Sequence, residues 1–82
     1  MSYTTIDNQL WNVQKYMMNR IGCDAAYRAM SPLNWYVGTG RASVPFLRWL
    51  TEAKPFVIAR LLMKGGSDEE IINRLKAKAH IL

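Results

Sequence analysis

Apolar residues recur at helical spacing along the first quarter of the chain. Between Thr5 and Gly22 they follow one another at intervals of three and four residues, which places them on one face of an α-helix. This predicted core stripe consists of Ile6, Leu10, Val13, Met17 and Ile21. The opposite, polar face carries Asn8, Asn12, Lys15 and Asn19. We therefore predict a first helix that Thr5 caps and that Gly22 ends, since glycine readily adopts left-handed backbone.

Two large side chains of this predicted helix fall outside the stripe. Trp11 and Met18 lie two turns apart and are rotated by roughly 90° to 120° from the stripe, at 100° per residue. Aromatic and methionine side chains are enriched at protein interfaces. We expect Trp11 and Met18 to form a strip that docks on another protein, and the alternative is that they complete the core.

The middle of the chain predicts two short helical pieces and a loop. Asp24 is a suitable cap for a helix through Met30, and Ser31-Pro32 then provides a second start signal. We expect the following piece, Leu33–Val37, to be a single helical turn because Gly38-Thr39-Gly40 interrupts it.

The next helix is predicted to begin at Ser43. Pro45 is tolerated because it falls in the first turn. Further along, Lys54-Pro55 predicts either a stop near Ala53 or a kink, since proline disfavours helical backbone in the residue before it.

The segment from Phe56 to Met63 has almost no polar face. Arg60 is its only polar residue, and Gly65-Gly66 closes it. A helix that is apolar nearly all round is usually buried on most sides. Because a domain of 82 residues has a limited core, we expect part of this surface to contact another molecule. A homo-oligomer is one such arrangement.

A last helix is predicted after the glycine pair. Ser67 and Glu70 have the spacing of a capping box, and Glu70 can pair with Arg74 one turn later. The apolar side of this helix consists of Ile71, Ile72, Leu75, Ala79 and Leu82. Together the predicted pieces make an all-α, compact bundle of four to five short helices that forms one domain over residues 1–82.

Composition narrows the class of protein. Eleven Lys and Arg residues against six Asp and Glu residues give a net charge of +5, which favours attraction to polyanions without fixing a partner. The single cysteine excludes an intrachain disulfide. The sequence lacks the pattern of a signal peptide and a run long enough for a membrane helix. We expect a cytoplasmic protein.

Candidates for catalysis are sparse. Cys23 and His80 are the candidates for a nucleophile and its base, and no pattern brings them together. Cys23 is expected to pack in a turn between helices, and His80 to be exposed near a helix end. Helix capping explains the acidic cluster of residues 68–70. We therefore expect a protein that is not an enzyme and has no cofactor or metal.

Two groups of residues are candidates for anion contact. Gly40, Arg41 and Ser43 lead into a helix start, where free backbone N–H groups can hold an anion. A turn explains both glycines without a ligand and is the favoured explanation, and the G-K-[ST] ending of a phosphate loop is missing. Arg74 and Lys78 border the apolar face of the last helix, where they can contact nucleic acid or form a solvated rim.

Residues 60–75 resemble the first half of many bacterial helix-turn-helix domains. In both, a helix ending in Leu-Leu-x-x-Gly precedes a capped Ser-x-x-Glu-Ile helix. The resemblance implies a small basic DNA-binding regulator built on Arg60 to Leu75. In that family the recognition helix follows, and here Lys76 to Leu82 are too few to form it. Ubiquitin-associated and other three-helix bundles begin helices in the same way.

The main interpretation is a non-enzymatic module for protein–protein interaction, because the chain has more aromatic and methionine side chains than a small core needs. In size and composition it is analogous to small accessory or inhibitory proteins of bacteria and phages. The DNA-binding regulator is the alternative. The predicted partner contacts are Trp11, Met18, Trp35, Tyr36, Arg60 and Met63.

Overall fold

Five α-helices make up the fold in a computed structural model that describes residues 3–80, with side chains from Thr5 onward. They are α1 (Tyr3–Ile21), α2 (Cys23–Gly38), α3 (Val44–Glu52), α4 (Pro55–Met63) and α5 (Asp68–Lys78). This part of the chain contains no strand, which confirms the predicted all-α bundle of short helices. Leu82, predicted to extend the apolar side of the last helix, lies outside the described residues.

Most of the predicted stripe of α1 faces the core. Ile6, Val13 and Met17 are buried, and Leu10 is half-buried against the core. Ile21 is exposed, so the buried part of the stripe ends one turn earlier than predicted. α1 therefore packs along most of its length against the rest of the bundle, in contact with α2, α3 and α4.

The two ends of α1 follow different rules. The helix begins at Tyr3, so Thr5 lies inside it, and the prediction that Thr5 caps the helix was wrong. Gly22 ends it as predicted, with a φ of 87° that a residue with a Cβ would adopt only with strain. Gly22 is also the N-cap of α2, which starts at Cys23; the prediction that Asp24 is the cap was wrong.

α2 is one continuous helix, so the predicted division at Ser31-Pro32 was wrong. Pro32 lies inside Cys23–Gly38, although proline removes a backbone hydrogen bond from a helix interior. Pro32 and Leu33 are both buried, and tertiary burial of this kind overrides a local helix-breaking preference. The hydroxyl of Ser31 donates to the carbonyl of Tyr27, 3.3 Å away, and does not cap a new helix.

The start of α3 and the break before α4 follow local chemistry. The hydroxyl of Ser43 caps α3 by accepting a hydrogen bond from the backbone N–H of Phe46 at 3.3 Å. Of the two predicted alternatives, a stop near Ala53 is what the structure has: α3 and α4 are separate helices and not one kinked helix. Lys54 has extended backbone, with a ψ of 138°, which a following proline such as Pro55 favours.

α4 is covered by α1, α2 and α5. Its buried side chains are Ile58, Ala59 and Leu62, and its half-buried ones include Val57, Leu61 and Met63. Phe56 and Arg60 are its exposed residues. Packing within a single chain therefore covers most of the apolar surface of α4, on which the prediction of self-association was based. A homo-oligomer stays a prediction, but it is not needed to cover this helix.

A buried glutamine joins α1 to the end of α3. Gln9 is 8% exposed, and its amide nitrogen donates to the backbone carbonyls of Leu50, at 3.0 Å, and Ala53. The last carbonyls of a helix have no partner within the helix. Gln9 satisfies two of them, and it thereby fixes α1 against α3.

The predicted capping box opens α5. The Ser67 hydroxyl accepts from the Glu70 backbone N–H, and the Glu70 carboxylate accepts from the Ser67 backbone N–H, each at 3.2 Å. The bond from the Ser67 backbone N–H is the main reason that the pKa of Glu70 lies below its ordinary value. The Ser67 hydroxyl and, to a smaller extent, the positive charge of Arg74 lower that pKa further.

This lowered pKa predicts a pH-dependent contribution of Glu70 to stability. A carboxyl group whose pKa is lower in the folded than in the unfolded chain stabilises the fold above its unfolded pKa, and this effect is lost as pH falls through the folded pKa. We expect Glu70→Ala to lower the melting temperature at about pH 7, and the gap to wild type to narrow towards about pH 3. A gap that stays constant over this range in thermal melts would show that ionisation of Glu70 contributes nothing.

Candidate functional site

A groove of about 410 Å³ opens between the end of α2 and one side of α5. Its volume is in the range of sites that hold a small ligand or a partner's side chain. We term it the Trp35 groove; it is lined by Trp35, Tyr36, Arg41, Asp68, Glu69, Ile72, Asn73 and Lys76. It brings together two predicted partner contacts, Trp35 and Tyr36, and one predicted anion contact, Arg41.

The position of Trp35 follows from the way α2 ends. The backbone N–H and the hydroxyl of Thr39 both donate to the carbonyl of Trp35, at 3.0 Å and 2.8 Å. Gly40 then reverses the chain with a φ of 74°, a conformation that favours glycine. The reversal brings the guanidinium of Arg41 to 5.0 Å from the centre of the Trp35 ring, within the range of a cation–π interaction.

Tyr36 and Ile72 are the buried residues of the lining and form its floor. The Tyr36 ring meets Phe46 edge to face, with ring centres 5.3 Å apart and planes at 80°. The ammonium of Lys76 lies 5.4 Å from the centre of the Tyr36 ring. Only 8% of Tyr36 is exposed, so it supports the groove from beneath, and its contact with a partner stays a prediction.

The rim of the Trp35 groove carries charges of both signs. Arg41 and Lys76 are cationic, while Asp68 and Glu69 are carboxylates in the first turn of α5, where the helix dipole favours negative charge. An apolar floor inside a polar rim of mixed charge is the usual anatomy of a protein interface. A site for a polyanion is instead dominated by cations.

Other predicted partner contacts lie outside this groove. Trp11 is 50% exposed as predicted for a surface residue, and the ammonium of Lys15 lies 5.8 Å from the centre of its ring. Met18 and Met63 are half-buried and pack against the core, and their role as docking residues stays a prediction. In the predicted strip, Trp11 is therefore exposed and Met18 is half-buried.

The residues predicted to contact an anion also differ in their surroundings, since some are held by bonds within the fold and others are exposed. Arg74 is half-buried, and its guanidinium donates to the carbonyls of Leu61 and Gly65, at 3.0 Å each. It closes the end of α4, and its contact with nucleic acid stays a prediction. The Ser43 hydroxyl is used in capping α3. Lys78 remains exposed.

Cys23 and His80, the candidates for a nucleophile and its base, belong neither to the predicted partner contacts nor to the predicted anion contacts. Cys23 is exposed at the start of α2, so the prediction that it packs in the turn was wrong. His80 is exposed after α5, as predicted, and has a φ of 60°. Among residues 3–80, no group of three or more His, Cys, Asp and Glu side chains could hold a metal ion. None of the helices described combines the length and apolar character needed to cross a membrane.

Sequence reasoning missed the share of α5 in the Trp35 groove. Helix capping alone explains Asp68 and Glu69 in the sequence, and Ile72 belongs to the predicted core. The available signal was spacing. Asp68, Ile72 and Lys76 follow one another at intervals of four residues, which places them on one helix face directed at the end of α2.

Comparison of the chain with protein-family models, curated proteins and solved structures found no match. The chemistry of the exposed surfaces is therefore the basis for a functional proposal. The Trp35 groove is the surface on which the most predicted contact residues meet.

Proposed function

We propose that this chain is a non-enzymatic protein–protein interaction module that docks on a partner protein through the Trp35 groove. The observation that carries the proposal is the half-exposed indole of Trp35 beside a groove with an apolar floor. Tryptophan is among the residue types that contribute most binding energy at interfaces, above all where a partner can bury it. An indole that is 49% exposed leaves large apolar area for such burial.

The lining favours one kind of partner segment. An apolar side chain of the partner can enter between Trp35 and Ile72, where it is removed from water. Around it, Arg41 and Lys76 can pair with acidic groups, and Asp68 and Glu69 with basic or N–H groups. A peptide segment offers an apolar anchor and polar groups of both kinds, which is the reason for proposing a protein partner.

The exposure of the two acidic residues at the rim of the Trp35 groove supports a role in binding over one in catalysis. Asp68 and Glu69 are exposed in the first turn of a helix. Catalytic carboxylates are usually tuned by burial or by close like-charged neighbours in a cleft. The lining contains no serine, cysteine or histidine that could act as a nucleophile or base.

The proposal predicts different results for two tryptophans of equal exposure. Trp35→Ala should weaken binding of the partner, captured from a lysate of the native host, by at least about tenfold, because it removes the anchor. Trp11→Ala should change the dissociation constant by less than about twofold, since Trp11 does not line the Trp35 groove. Both variants should keep a near-wild-type melting temperature, because each side chain is half-exposed.

The matched exposure of Trp11, 50%, and Trp35, 49%, makes the comparison sharp. Titration of the purified partner against wild type and the two variants measures the difference. Undiminished binding by Trp35→Ala would refute the Trp35 groove as the docking site. Equal losses in the two variants would indicate a broad surface effect instead.

The DNA-binding regulator remains the alternative proposal. Arg74, one of its candidate contacts, closes the end of α4, and the Trp35 groove has a rim of mixed charge. We expect weak binding to duplex DNA that fades near physiological salt, because it depends on a few phosphate contacts. Tight binding to one operator at that salt, measured by fluorescence anisotropy, would favour the regulator.

A further inference from the structure

A second groove, of about 220 Å³, lies where α4 approaches the end of α5. Four of its residues lie in α4 and a fifth, Lys64, is the C-cap of that helix; residues four apart in this set share one side of the helix, so they form a continuous stripe. We term it the basic groove; it is lined by Phe56, Val57, Arg60, Leu61, Lys64 and Lys78. The lining has three cationic side chains and no carboxylate.

The floor of the basic groove is apolar. Val57 and Leu61 are half-buried, and Phe56 is 38% exposed at one end. The Phe56 ring packs on Tyr16 of α1, with ring centres 6.5 Å apart. The guanidinium of Arg20 lies 4.7 Å from the centre of the Tyr16 ring and adds a fourth positive charge next to the groove.

The three cations of the lining are directed to solvent. Arg60, Lys64 and Lys78 are exposed, and within residues 3–80 no ion pair joins them to a carboxylate. Their situation differs from that of Arg74, which hydrogen-bonds two backbone carbonyls. Like charges gathered on one surface repel one another until an anionic partner neutralises them. The occupant of this groove should therefore be acidic.

We infer that the basic groove binds an acidic amphipathic segment of a partner protein. Carboxylates of the segment pair with Arg60, Lys64 and Lys78, and its apolar side chains lie on Val57 and Leu61. A helix or strand with acidic and apolar residues at regular spacing meets both requirements, as in other helix-in-groove complexes. None of these residues lines the Trp35 groove, so the inference is independent of the function proposed for that surface.

The aliphatic floor distinguishes this occupant from nucleic acid. A phosphate backbone would pair with the cations of the groove. It would gain no stabilisation from Val57 and Leu61, because aliphatic side chains do not interact favourably with charged groups. Single-stranded nucleic acid is held by stacking of successive bases on aromatic side chains. The lining has one aromatic ring, Phe56, which is 38% exposed and could stack with a single base.

Two double variants with the same change in charge test the inference. Arg60→Gln with Lys64→Gln removes two cations from the basic groove. Arg28→Gln with Arg48→Gln removes two exposed cations that do not line it. All four positions are exposed, so both proteins should fold, and thermal melts verify this before binding is measured.

The probe is a fluorescein-labelled helical peptide of about 15 residues with glutamates on one face and leucines on the other. A second peptide has serine at every leucine. Anisotropy at roughly 0.15 M salt, where long-range charge effects are screened, measures both. We expect the first peptide to bind wild type, to bind Arg60→Gln/Lys64→Gln about tenfold more weakly, and to bind Arg28→Gln/Arg48→Gln within about twofold of wild type. Loss of the leucines should weaken binding about tenfold.

Each other outcome would overturn the inference. Failure of the leucine peptide to bind wild type, or equal losses in the two double variants, would show that the groove does not select an acidic segment. Equal binding of the serine peptide would show that the apolar floor has no role. Tighter binding of a single-stranded or duplex oligonucleotide than of the peptide would assign the groove to nucleic acid. Trp35→Ala should leave peptide binding unchanged, which separates this test from that of the Trp35 groove.

Discussion

Replacing Phe46 with alanine should lower the free energy of unfolding by about 3–5 kcal/mol. Phe46 is fully buried, and its ring contacts Tyr36 edge to face and Trp49 with ring centres 5.8 Å apart. The substitution leaves a cavity and removes both aromatic contacts. Because a small domain is stable by only about 5–15 kcal/mol, urea unfolding followed by circular dichroism should show a large shift of the midpoint.

The matched control for this prediction is the neighbouring residue of α3. Leu47 is half-buried, so Leu47→Ala should cost clearly less than Phe46→Ala. Phe46 also supports Tyr36, the floor of the Trp35 groove, from below. If Phe46→Ala cost no more than Leu47→Ala, the packing described beneath the groove would be wrong.

Replacing Gln9 with methionine should cost about 1–3 kcal/mol, although methionine is apolar and of similar size. The loss arises because the buried carbonyl of Leu50 and the partly buried carbonyl of Ala53 would lose the donor that the glutamine amide supplies. Urea unfolding again provides the measurement.

The same exchange at Gln14, a half-buried glutamine of α1, is the control and should change stability by less than about 0.5 kcal/mol. A Gln9→Met protein as stable as wild type would mean that the link between α1 and the end of α3 contributes nothing to the fold.

The elements that could be predicted from the sequence are those fixed by neighbours along the chain. Ser43 and Ser67 cap helices as predicted because a hydroxyl needs only the backbone N–H three residues later. Gly22 ends α1 because its backbone conformation is a local property. Pro32 was misjudged because the burial that keeps it in a continuous α2 comes from other helices.

The polar contacts that organise the bundle have no local signal. Gln9 reaches carbonyls that are 41 and 44 residues away in sequence. Arg74 reaches back 13 residues to the carbonyl of Leu61, whereas the sequence indicated a pairing with Glu70 or a contact with nucleic acid. Side chains with several donors can satisfy any exposed carbonyl, so only the packing of helices determines which one they meet.

The candidate site was predicted in parts that the sequence did not connect. Trp35 was assigned to a protein partner and Arg41 to an anion, on separate grounds. The turn at Gly40 places the Arg41 guanidinium on the Trp35 ring, so the two form one surface. Asp68 and Lys76 complete that surface from α5, and the packing of α5 against α2 decides their role.

Site-specific photo-crosslinking tests the Trp35 groove most directly. Asn73 lines the groove and is exposed, while Asn12 is also exposed but lies on the polar face of α1. With p-benzoylphenylalanine in place of Asn73, irradiation of the complex should attach the partner covalently to this chain. The same photoreactive residue in place of Asn12 should give no such product. Crosslinking from position 12 and none from position 73 would contradict docking through the Trp35 groove.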